Sequence, residues 1–174
     1  MAVLVLRVIP DPVLRQTAAS VALADIPKLK SLVVDMVQTM DANQGVGLAA
    51  PQVGRGLRLI VASTVQGPLA LFNPVLSRRS LRTELGEEGC LSIPGVYGRV
   101  RRSVRVAVSG VAPDGQPMRF TAKGFFARVL QHEVDHLNGV LFIDRTKKIT
   151  TGRERLEAML GGTTAGYSAS QPSG

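Results

Sequence analysis

The sequence predicts an α+β fold in which mostly antiparallel strands pack around a central helix, with an additional N-terminal helix and a C-terminal helix. Two observations carry this prediction. Residues 27–43 and 124–138 repeat apolar side chains at spacings of three and four, as amphipathic helices do. Short extended segments bounded by turn residues lie between them, so the strands come first and the main helix comes late.

The N-terminal helix is predicted over residues 27–43. Its apolar positions would share one face, and they are Leu29, Leu32, Val33, Met36, Val37 and Met40. Asp25 and Pro27 are start signals, and Gly45 follows the end of the periodic run.

The strands are predicted in the middle of the chain. A tight loop at 45–52, with the sequence GVGLAAPQ, leads into a strand at 57–63. Further extended segments are predicted at 69–76, 83–91 and 103–112. The turn signal Pro113-Asp114-Gly115 closes a hairpin whose return strand ends at Phe120, which favours antiparallel pairing.

The central helix is predicted at 124–138, where Asn138-Gly139 is a good stop because both residues tolerate the left-handed conformation. One face would carry or border Phe126, Val129, Leu130, Glu133, His136 and Leu137. A more amphipathic C-terminal helix is predicted at 149–160.

Composition indicates a single globular domain. The 174 residues are 45% hydrophobic, so we expect one catalytic domain over residues 1–160 and, from its Gly/Ser/Thr content, a disordered tail at 161–174. A single Cys excludes a disulfide-stapled fold and a Cys-rich zinc finger. The chain has no secretory signal pattern and no membrane-spanning run, so we expect a cytoplasmic protein in a reducing compartment.

The charge is strongly basic, with 21 Lys+Arg against 13 Asp+Glu and a formal net charge of +8. A basic balance favours anionic partners such as nucleic acid, a ribosome or a membrane surface. Since 16 of the basic residues are Arg, coding bias explains the excess equally well, and both interpretations stay open.

The run His132-Glu133-Val134-Asp135-His136 is an HExxH motif on the central helix. Residues four apart lie one turn apart on the same face, so the two imidazoles can bind one metal ion. Glu133 is offset by one residue and can address a water at the metal without being a ligand.

The third ligand must come from elsewhere in the chain. Phe142 stands where a metzincin has its third His, and no further His exists, so that class is excluded. A thermolysin-like zinc peptidase would use Glu154 or Glu157. Cys90 is favoured because a thiolate is a strong ligand for ferrous iron or zinc, and one site would then use both His and the only Cys. A basic, non-catalytic protein with a structural metal is the third hypothesis.

Three motifs resemble the peptide deformylase family, in that family's usual order. They are GVGLAAPQ at 45–52, EGCLS at 88–92 and QHEVDH at 131–136, and the resemblance extends over residues 7–143. It implies an α+β fold with sheets around the HExxH helix, and removal of the formyl group from N-formylmethionine on newly made bacterial proteins. It also implies one divalent metal, Fe²⁺ in the cell with Zn²⁺, Ni²⁺ or Co²⁺ possible in preparations, with Cys90, His132 and His136 as its ligands.

The resemblance implies further roles around the metal. Glu133 would act as general base and then acid, while the Gln52 side chain and the Leu91 backbone N–H would stabilise the oxyanion. The implied substrate-binding residues are Gly45, Val46, Gly47, Glu88, Gly89, Phe126 and Val129. The glycine loop would receive the peptide as an added strand, and the apolar members with the stem of Glu88 would hold the methionine side chain. For Phe126, an ordinary core position is an equal alternative.

The implied partners are N-formylmethionyl nascent peptides and, as a hypothesis, the ribosome near the nascent-chain exit. We expect no membrane binding and no sequence-specific nucleic-acid binding. The ribosome hypothesis depends on basic clusters formed by Arg78, Arg79, Arg82, Arg99, Arg101, Arg102, Arg105, Lys147, Lys148, Arg153 and Arg155.

Two residues near the motif have open roles. Arg128 stands where many family members have an apolar residue near the pocket rim, and it would either point to solvent or contact the later residues of the peptide. Asp135 would orient a ligand or cap a neighbouring loop.

Overall fold

The computed structural model describes residues 2–161 and confirms the α+β fold. The helices are α1 Lys30–Ala42, α2 Gly124–Leu137, α3 Phe142–Arg145 and α4 Arg153–Met159. The strands are β1 Gly47–Ala49, β2 Leu59–Ala62, β3 Leu69–Ser77, β4 Thr83–Cys90, β5 Ile93–Ser103, β6 Arg105–Val111, β7 Pro117–Lys123 and β8 Lys148–Thr151. Short 3₁₀ helices occupy Pro12–Arg15, Leu23–Leu29 and Ala50–Val53.

The strands form two sheets in which every pairing is antiparallel. A five-stranded sheet has the order β1-β2-β3-β6-β7, and a three-stranded sheet has the order β4-β5-β8. The long β4–β5 hairpin brings Cys90, at the end of β4, beside the start of β5.

The helix α2 is the centre of the molecule. From Ala127 to its end at Leu137, every residue except Arg128 is buried. Its apolar face packs against Ile60 and Ala62 of β2, while α1 packs against Leu59 and Val61 on the opposite face of the same sheet. The alternation of these four residues follows from the two-residue period of a strand.

A third core cluster lies under the three-stranded sheet. Val96 and Val100 of β5 pack there with Leu141 and Phe142, which follow α2 along the chain. The HExxH helix therefore packs against the five-stranded sheet, and the segment that follows it packs against the three-stranded sheet. This packing fixes the position of its polar residues.

The predicted helix at 149–160 is wrong at its start. Lys148–Thr151 form β8, which pairs with β5, and α4 begins only after Gly152. Gly152 has a φ of 80°, which breaks the helical pattern at that point. Backbone pairing with β5 determines the extended conformation of this segment. The local sequence does not show that pairing.

The other element predictions hold with shifted boundaries. The first turn of the predicted N-terminal helix is the 3₁₀ helix Leu23–Leu29, which contains Pro27, and α1 begins at Lys30. The predicted loop at 45–52 contains β1 and the 3₁₀ helix Ala50–Val53.

The helices of residues 2–161 include none that is long and apolar enough to cross a membrane. The predicted disordered tail lies outside the described residues, except for Gly161.

Candidate metal centre

Three side chains from two elements converge at the centre of the molecule. One helical turn separates His132 from His136 on α2, and the end of β4 supplies Cys90. The Nε2 atom of His136 lies 3.2 Å from the Nε2 atom of His132 and 3.2 Å from the Sγ atom of Cys90. Among the described residues, this is the one group of His, Cys, Asp or Glu that offers converging ligand atoms within 4.8 Å of one another.

The donor set fits a divalent metal. Ligand atoms of a tetrahedral site with bonds of about 2.0–2.3 Å lie about 3.3–3.8 Å apart, close to the two separations of 3.2 Å that His136 makes here. Burial, His132 and Arg102 lower the pKa of His136, which keeps this imidazole neutral as a ligand must be. Glu154 and Glu157 do not belong to the converging group, so the structure favours Cys90 over the thermolysin-like alternative.

Glu88 fixes the orientation of His132. The Nδ1–H of His132 donates to Glu88 Oε2 at 3.0 Å, which turns its Nε2 atom toward Cys90 and His136. Burial raises the pKa of Glu88, but hydrogen bonds from Arg102 and His132 outweigh burial and hold it well below its usual range. Burial lowers the pKa of His132, but hydrogen bonds with Cys90 and Glu88 outweigh burial and raise it.

A buried ionic network continues behind Glu88. Arg102 of β5 donates through Nε and Nη2 to the two oxygens of Glu88, each at 2.9 Å, and through Nη1 to Asp135. Asp135 also accepts two hydrogen bonds from Arg145. Asp135 is therefore linked to His132 indirectly, through Arg102 and Glu88, and its predicted role in orienting a ligand would be exerted through these two residues.

Glu133 is buried beside the converging ligands with one oxygen unpaired. Its Oε2 atom has no hydrogen-bond partner among the described residues. Burial raises the pKa of Glu133 to about 7, a value suited to a group that must accept and return a proton near neutral pH. Gly47 of β1 packs against this carboxylate so closely that a Cβ atom there would lie 2.8 Å from Glu133 Cδ.

Gln52 is held in place by its own loop. Its Oε1 atom accepts from the Ala49 backbone N–H at 2.8 Å, so its amide N–H groups point toward Ser92 Oγ at 3.2 Å and Cys90 Sγ at 3.4 Å. The adjacent Leu91 lines the same cleft, and its side chain contacts the position where Gly45 would carry a Cβ atom. Both predicted oxyanion donors thus lie next to Cys90.

A cleft of about 870 Å³ opens onto this centre. It is lined by all but one of the predicted substrate-binding residues, namely Gly45, Val46, Gly47, Glu88, Gly89 and Val129. Phe126 does not line it. The Phe126 ring stacks on Phe120, 6.2 Å between centroids, and packs with the core between α2 and the five-stranded sheet. Phe125 lines the cleft instead and is 67% exposed.

Of the two roles predicted for Arg128, the structure contradicts the one in which it points to solvent, and contact with the later residues of the peptide stays a prediction. Its side chain is only 11% exposed, so it does not point to solvent, and it donates to Glu88 and to three backbone carbonyls. The sequence reasoning also missed the carboxylate role of Glu88 and the partnership with Arg102. The signal that could have found Arg102 is the alternation along β5, where Val96, Val100 and Arg102 are all buried.

The comparisons agree with this geometry. The family model described as Polypeptide deformylase matches residues 3–152. Peptide deformylase of Halothermothrix orenii is 48% identical over 151 residues, which are 86% of this chain and 97% of that protein. The crystal structure of peptide deformylase from Thermotoga maritima superposes with a TM-score of 0.80 at 42% identity, covering 83% of this chain and 98% of that one. A Met-Ala-Ser-bound peptide deformylase of Acinetobacter baumannii superposes with a TM-score of 0.78 at 35% identity, covering 82% of this chain and 98% of that one. The chain belongs to the polypeptide deformylase family.

Proposed function

We propose that this chain hydrolyses the N-terminal formamide of formylmethionyl peptides, giving formate and a free amino terminus, with Glu133 as the general base and acid. The observation that carries the proposal is the convergence of Cys90, His132 and His136 next to the buried carboxylate of Glu133, at the base of an open cleft. The Met-Ala-Ser named with the A. baumannii structure is what deformylation of formyl-Met-Ala-Ser would leave.

Cys90, His132 and His136 would hold one divalent metal, ferrous iron in the cell. Such a metal supplies a water of lowered pKa as the nucleophile at neutral pH. The choice of iron is supported by the family resemblance and by the mixed thiolate and imidazole donors, which also suit zinc.

Glu133 would accept and return the proton in this reaction. Its pKa of about 7 lets the carboxylate take a proton from the attacking water and return it to the departing peptide amine. The unpaired Oε2 atom is free to make that contact, and the tight packing of Gly47 keeps the carboxylate from turning away.

The negative charge that develops on the formyl oxygen needs fixed donors. The Gln52 amide is preorganised by its bond from the Ala49 N–H, and the Leu91 backbone lies beside Cys90 at the cleft. Removing one such donor typically costs about 3 kcal/mol of transition-state stabilisation.

The peptide would bind as an additional strand. β1 is the edge strand of the five-stranded sheet, and Gly45, Val46 and Gly47 line the cleft. Main-chain hydrogen bonds to such an edge recognise any extended peptide, so residues after the methionine can vary.

An anaerobic assay with ferrous-loaded protein and formyl-Met-Ala-Ser tests the proposal. Formate release should be observed, and Glu133→Gln should lower kcat about 10²–10⁴-fold while metal content stays unchanged. Glu154→Gln, an exposed change on α4, is the matched control. Full activity in Glu133→Gln would refute the assignment of the base, and an inactive wild type with bound metal would favour a structural metal.

We also propose that the chain acts in the bacterial cytoplasm and docks on the ribosome through exposed cations near α4. Lys147, Lys148, Arg153 and Arg155 are all exposed, whereas Arg102, another member of the predicted basic clusters, is buried and unavailable. Ribosome pelleting across a salt series should show weaker binding at higher salt and on replacing these four residues by Ala. Replacing four exposed cations elsewhere, Lys28, Arg55, Arg119 and Lys123, is the control, and equal losses in both variants would contradict docking at α4.

A further inference from the structure

The two oxyanion donors of the proposed reaction come from separate parts of the chain. Gln52 lies in the 3₁₀ helix Ala50–Val53, whereas Leu91 lies in the turn between β4 and β5. In the described part of the chain, no backbone hydrogen bond joins these two segments to each other. The position of one donor relative to the other must therefore be set by side chains or by a third segment.

A third segment, close to the N-terminus, contacts both donor segments. The Arg7 N–H donates to the Gln52 carbonyl at 2.7 Å, and the Ile9 N–H donates to the carbonyl of Ser92, in the β4–β5 turn, at 3.0 Å. We call residues 7–9 the N-terminal bridge. Because a single residue separates the two N–H groups, the length of this chain limits the distance between the donor segments.

The N-terminal bridge is fixed at both ends. Ile9 is 5% exposed and belongs to the same core cluster as Ile93, the first residue of β5. Before the bridge, the Leu4 N–H donates to Thr39 Oγ1 at 2.8 Å, which ties the start of the chain to α1. The bridge therefore connects firmly held parts of the fold to the two donor segments.

Other contacts orient the Gln52 side chain, while the bridge holds its backbone. The Oε1 atom of Gln52 accepts from the Ala49 N–H at 2.8 Å, and its Nε2 atom donates to Ser92 Oγ at 3.2 Å. Oxyanion donors must lie about 2.7–3.1 Å from the oxygen atom that becomes charged. A small displacement of either donor segment would therefore misplace one donor.

Resting on the deformylase activity proposed above, we propose that the N-terminal bridge positions the oxyanion donors for formyl hydrolysis. Arg7 is a positioning residue that acts through its backbone N–H, since it does not line the cleft. Its side chain is 49% exposed, and its nearest carboxylate oxygen, on Asp11, is 3.7 Å away, so the side chain contributes little. The bridge sets the spacing between the Gln52 amide and the Leu91 N–H, and thereby raises kcat.

Arg7→Pro removes the N–H that the Gln52 carbonyl accepts, and steady-state assays with metal-loaded protein and formyl-Met-Ala-Ser measure the result. Arg7→Ala loses the same side chain but keeps the N–H. We expect kcat to be about 10–100-fold lower in Arg7→Pro than in Arg7→Ala, because small misplacements of catalytic groups cost up to about 10²-fold. Metal content should be unchanged.

Val5→Pro is the matched control for the proline substitution. Val5 is exposed, lies outside the bridge, and its N–H makes no hydrogen bond within residues 2–161. This variant should keep the wild-type kcat.

A double substitution separates positioning from general destabilisation. If the bridge acts through Gln52, adding Arg7→Pro to Gln52→Ala should lower kcat further by less than about twofold, because the two changes remove the same effect. A loss of stability alone would lower the fraction of folded protein equally in both backgrounds. Thermal unfolding of each variant measures that fraction independently.

A glycine inserted between Arg7 and Val8 tests the bridge without removing either N–H. One added residue lengthens the chain by up to about 3.3–3.6 Å, so the two N–H groups can no longer hold both donor segments at their present spacing. We expect kcat to fall at least about tenfold. A glycine inserted between Val3 and Leu4, outside the bridge, is the control and should keep kcat. If Arg7→Pro does not fold, the two insertions still decide the matter.

Three outcomes would overturn the inference. One is an equal kcat in folded Arg7→Pro and Arg7→Ala. Another is a loss on adding Arg7→Pro to Gln52→Ala that matches the loss in the wild-type background. The third is a glycine insertion in the bridge that leaves kcat as high as the control insertion does. A metal-loaded wild type that releases no formate from the peptide would instead refute the proposed function.

Discussion

Glu88 is the residue whose replacement tests the architecture of the site most directly. It is buried and receives four hydrogen bonds: two from Arg102, one from Arg128 and one from His132. Glu88→Gln keeps the shape but removes the charge and replaces one acceptor oxygen by an N–H donor. Two nearly buried arginines then face an uncharged amide, and His132 loses a carboxylate partner.

The size of the effect follows from these contacts. Removing one partner of a buried ion pair costs about 3–5 kcal/mol. Since Asp135 still pairs with Arg102 after the change, we expect the lower end, a loss of about 3 kcal/mol in the free energy of unfolding. Loss of the carboxylate behind a metal-binding imidazole should also weaken metal affinity about 10–100-fold.

Urea unfolding and metal titration measure the two effects. Glu87→Gln is the matched control, because Glu87 is exposed and its carboxylate accepts one hydrogen bond from Thr150, so its change should stay within about 0.5 kcal/mol. A loss below about 1 kcal/mol in Glu88→Gln, together with unchanged metal affinity, would show that Glu88 does not support the centre as argued.

The stability that the charged Glu88 side chain contributes should depend on pH, and the direction of its pKa shift fixes the sign of that dependence. The pKa of Glu88 in the folded protein lies below the ordinary value of 4.5. An acid whose pKa is lower in the folded than in the unfolded protein stabilises the fold fully above its unfolded pKa. This stabilisation is lost as the pH falls through the folded pKa. The stability difference between wild type and Glu88→Gln should therefore be full above pH 4.5 and shrink as the solution becomes more acidic. A difference that grows on acidification would contradict this assignment.

Three further substitutions test metal binding by Cys90, oxyanion stabilisation by Gln52 and the packing of Gly47 against Glu133. Cys90→Ala should abolish tight metal binding measured by elemental analysis, whereas Glu154→Gln should retain it; the reverse result would support the thermolysin-like alternative. Gln52→Ala should lower kcat about 10²–10³-fold with metal retained, and a KM effect alone would contradict an oxyanion role. Gly47→Ala should push the Glu133 carboxylate aside and lower kcat by up to about 10²-fold in steady-state assays, with thermal unfolding recorded to separate misfolding from misplacement.

The converging ligands could be predicted because their signal is local or unique. The i, i+4 spacing of His132 and His136 is read directly from a helical period. Cys90 is the only Cys in the chain, so no other thiol competed for the third position. The structure brings these three together as the sequence predicted.

The support behind the ligands could not be predicted in the same way. The β4–β5 register places Glu84 opposite Arg102 and Glu88 opposite Gly98, so the contact between Glu88 and Arg102 is not a direct cross-strand pair. Nothing in the local sequence around β5 fixes that register, and the strand itself was not predicted.

The position of Phe126 in the core rather than in the cleft has a simpler cause. On a helix, Phe125 lies four residues before Val129, which faces the cleft, whereas Phe126 lies four before Leu130, which faces the core. A shift of one residue turns a side chain by about 100°, and the apolar pattern alone does not say which neighbour faces substrate.

The buried network changes how the basic composition should be interpreted. Arg102, Arg128 and Arg145 are three of the 16 arginines, and they pair with Glu88 and Asp135. Burial raises the pKa of Glu88, and hydrogen bonds from Arg102 and His132 hold it below its usual range. Arg102 therefore helps to keep Glu88 charged as the acceptor for the Nδ1–H of His132, and neither coding bias nor an anionic partner is needed to explain these paired arginines. Only the cations that remain exposed can contribute to docking on a ribosome.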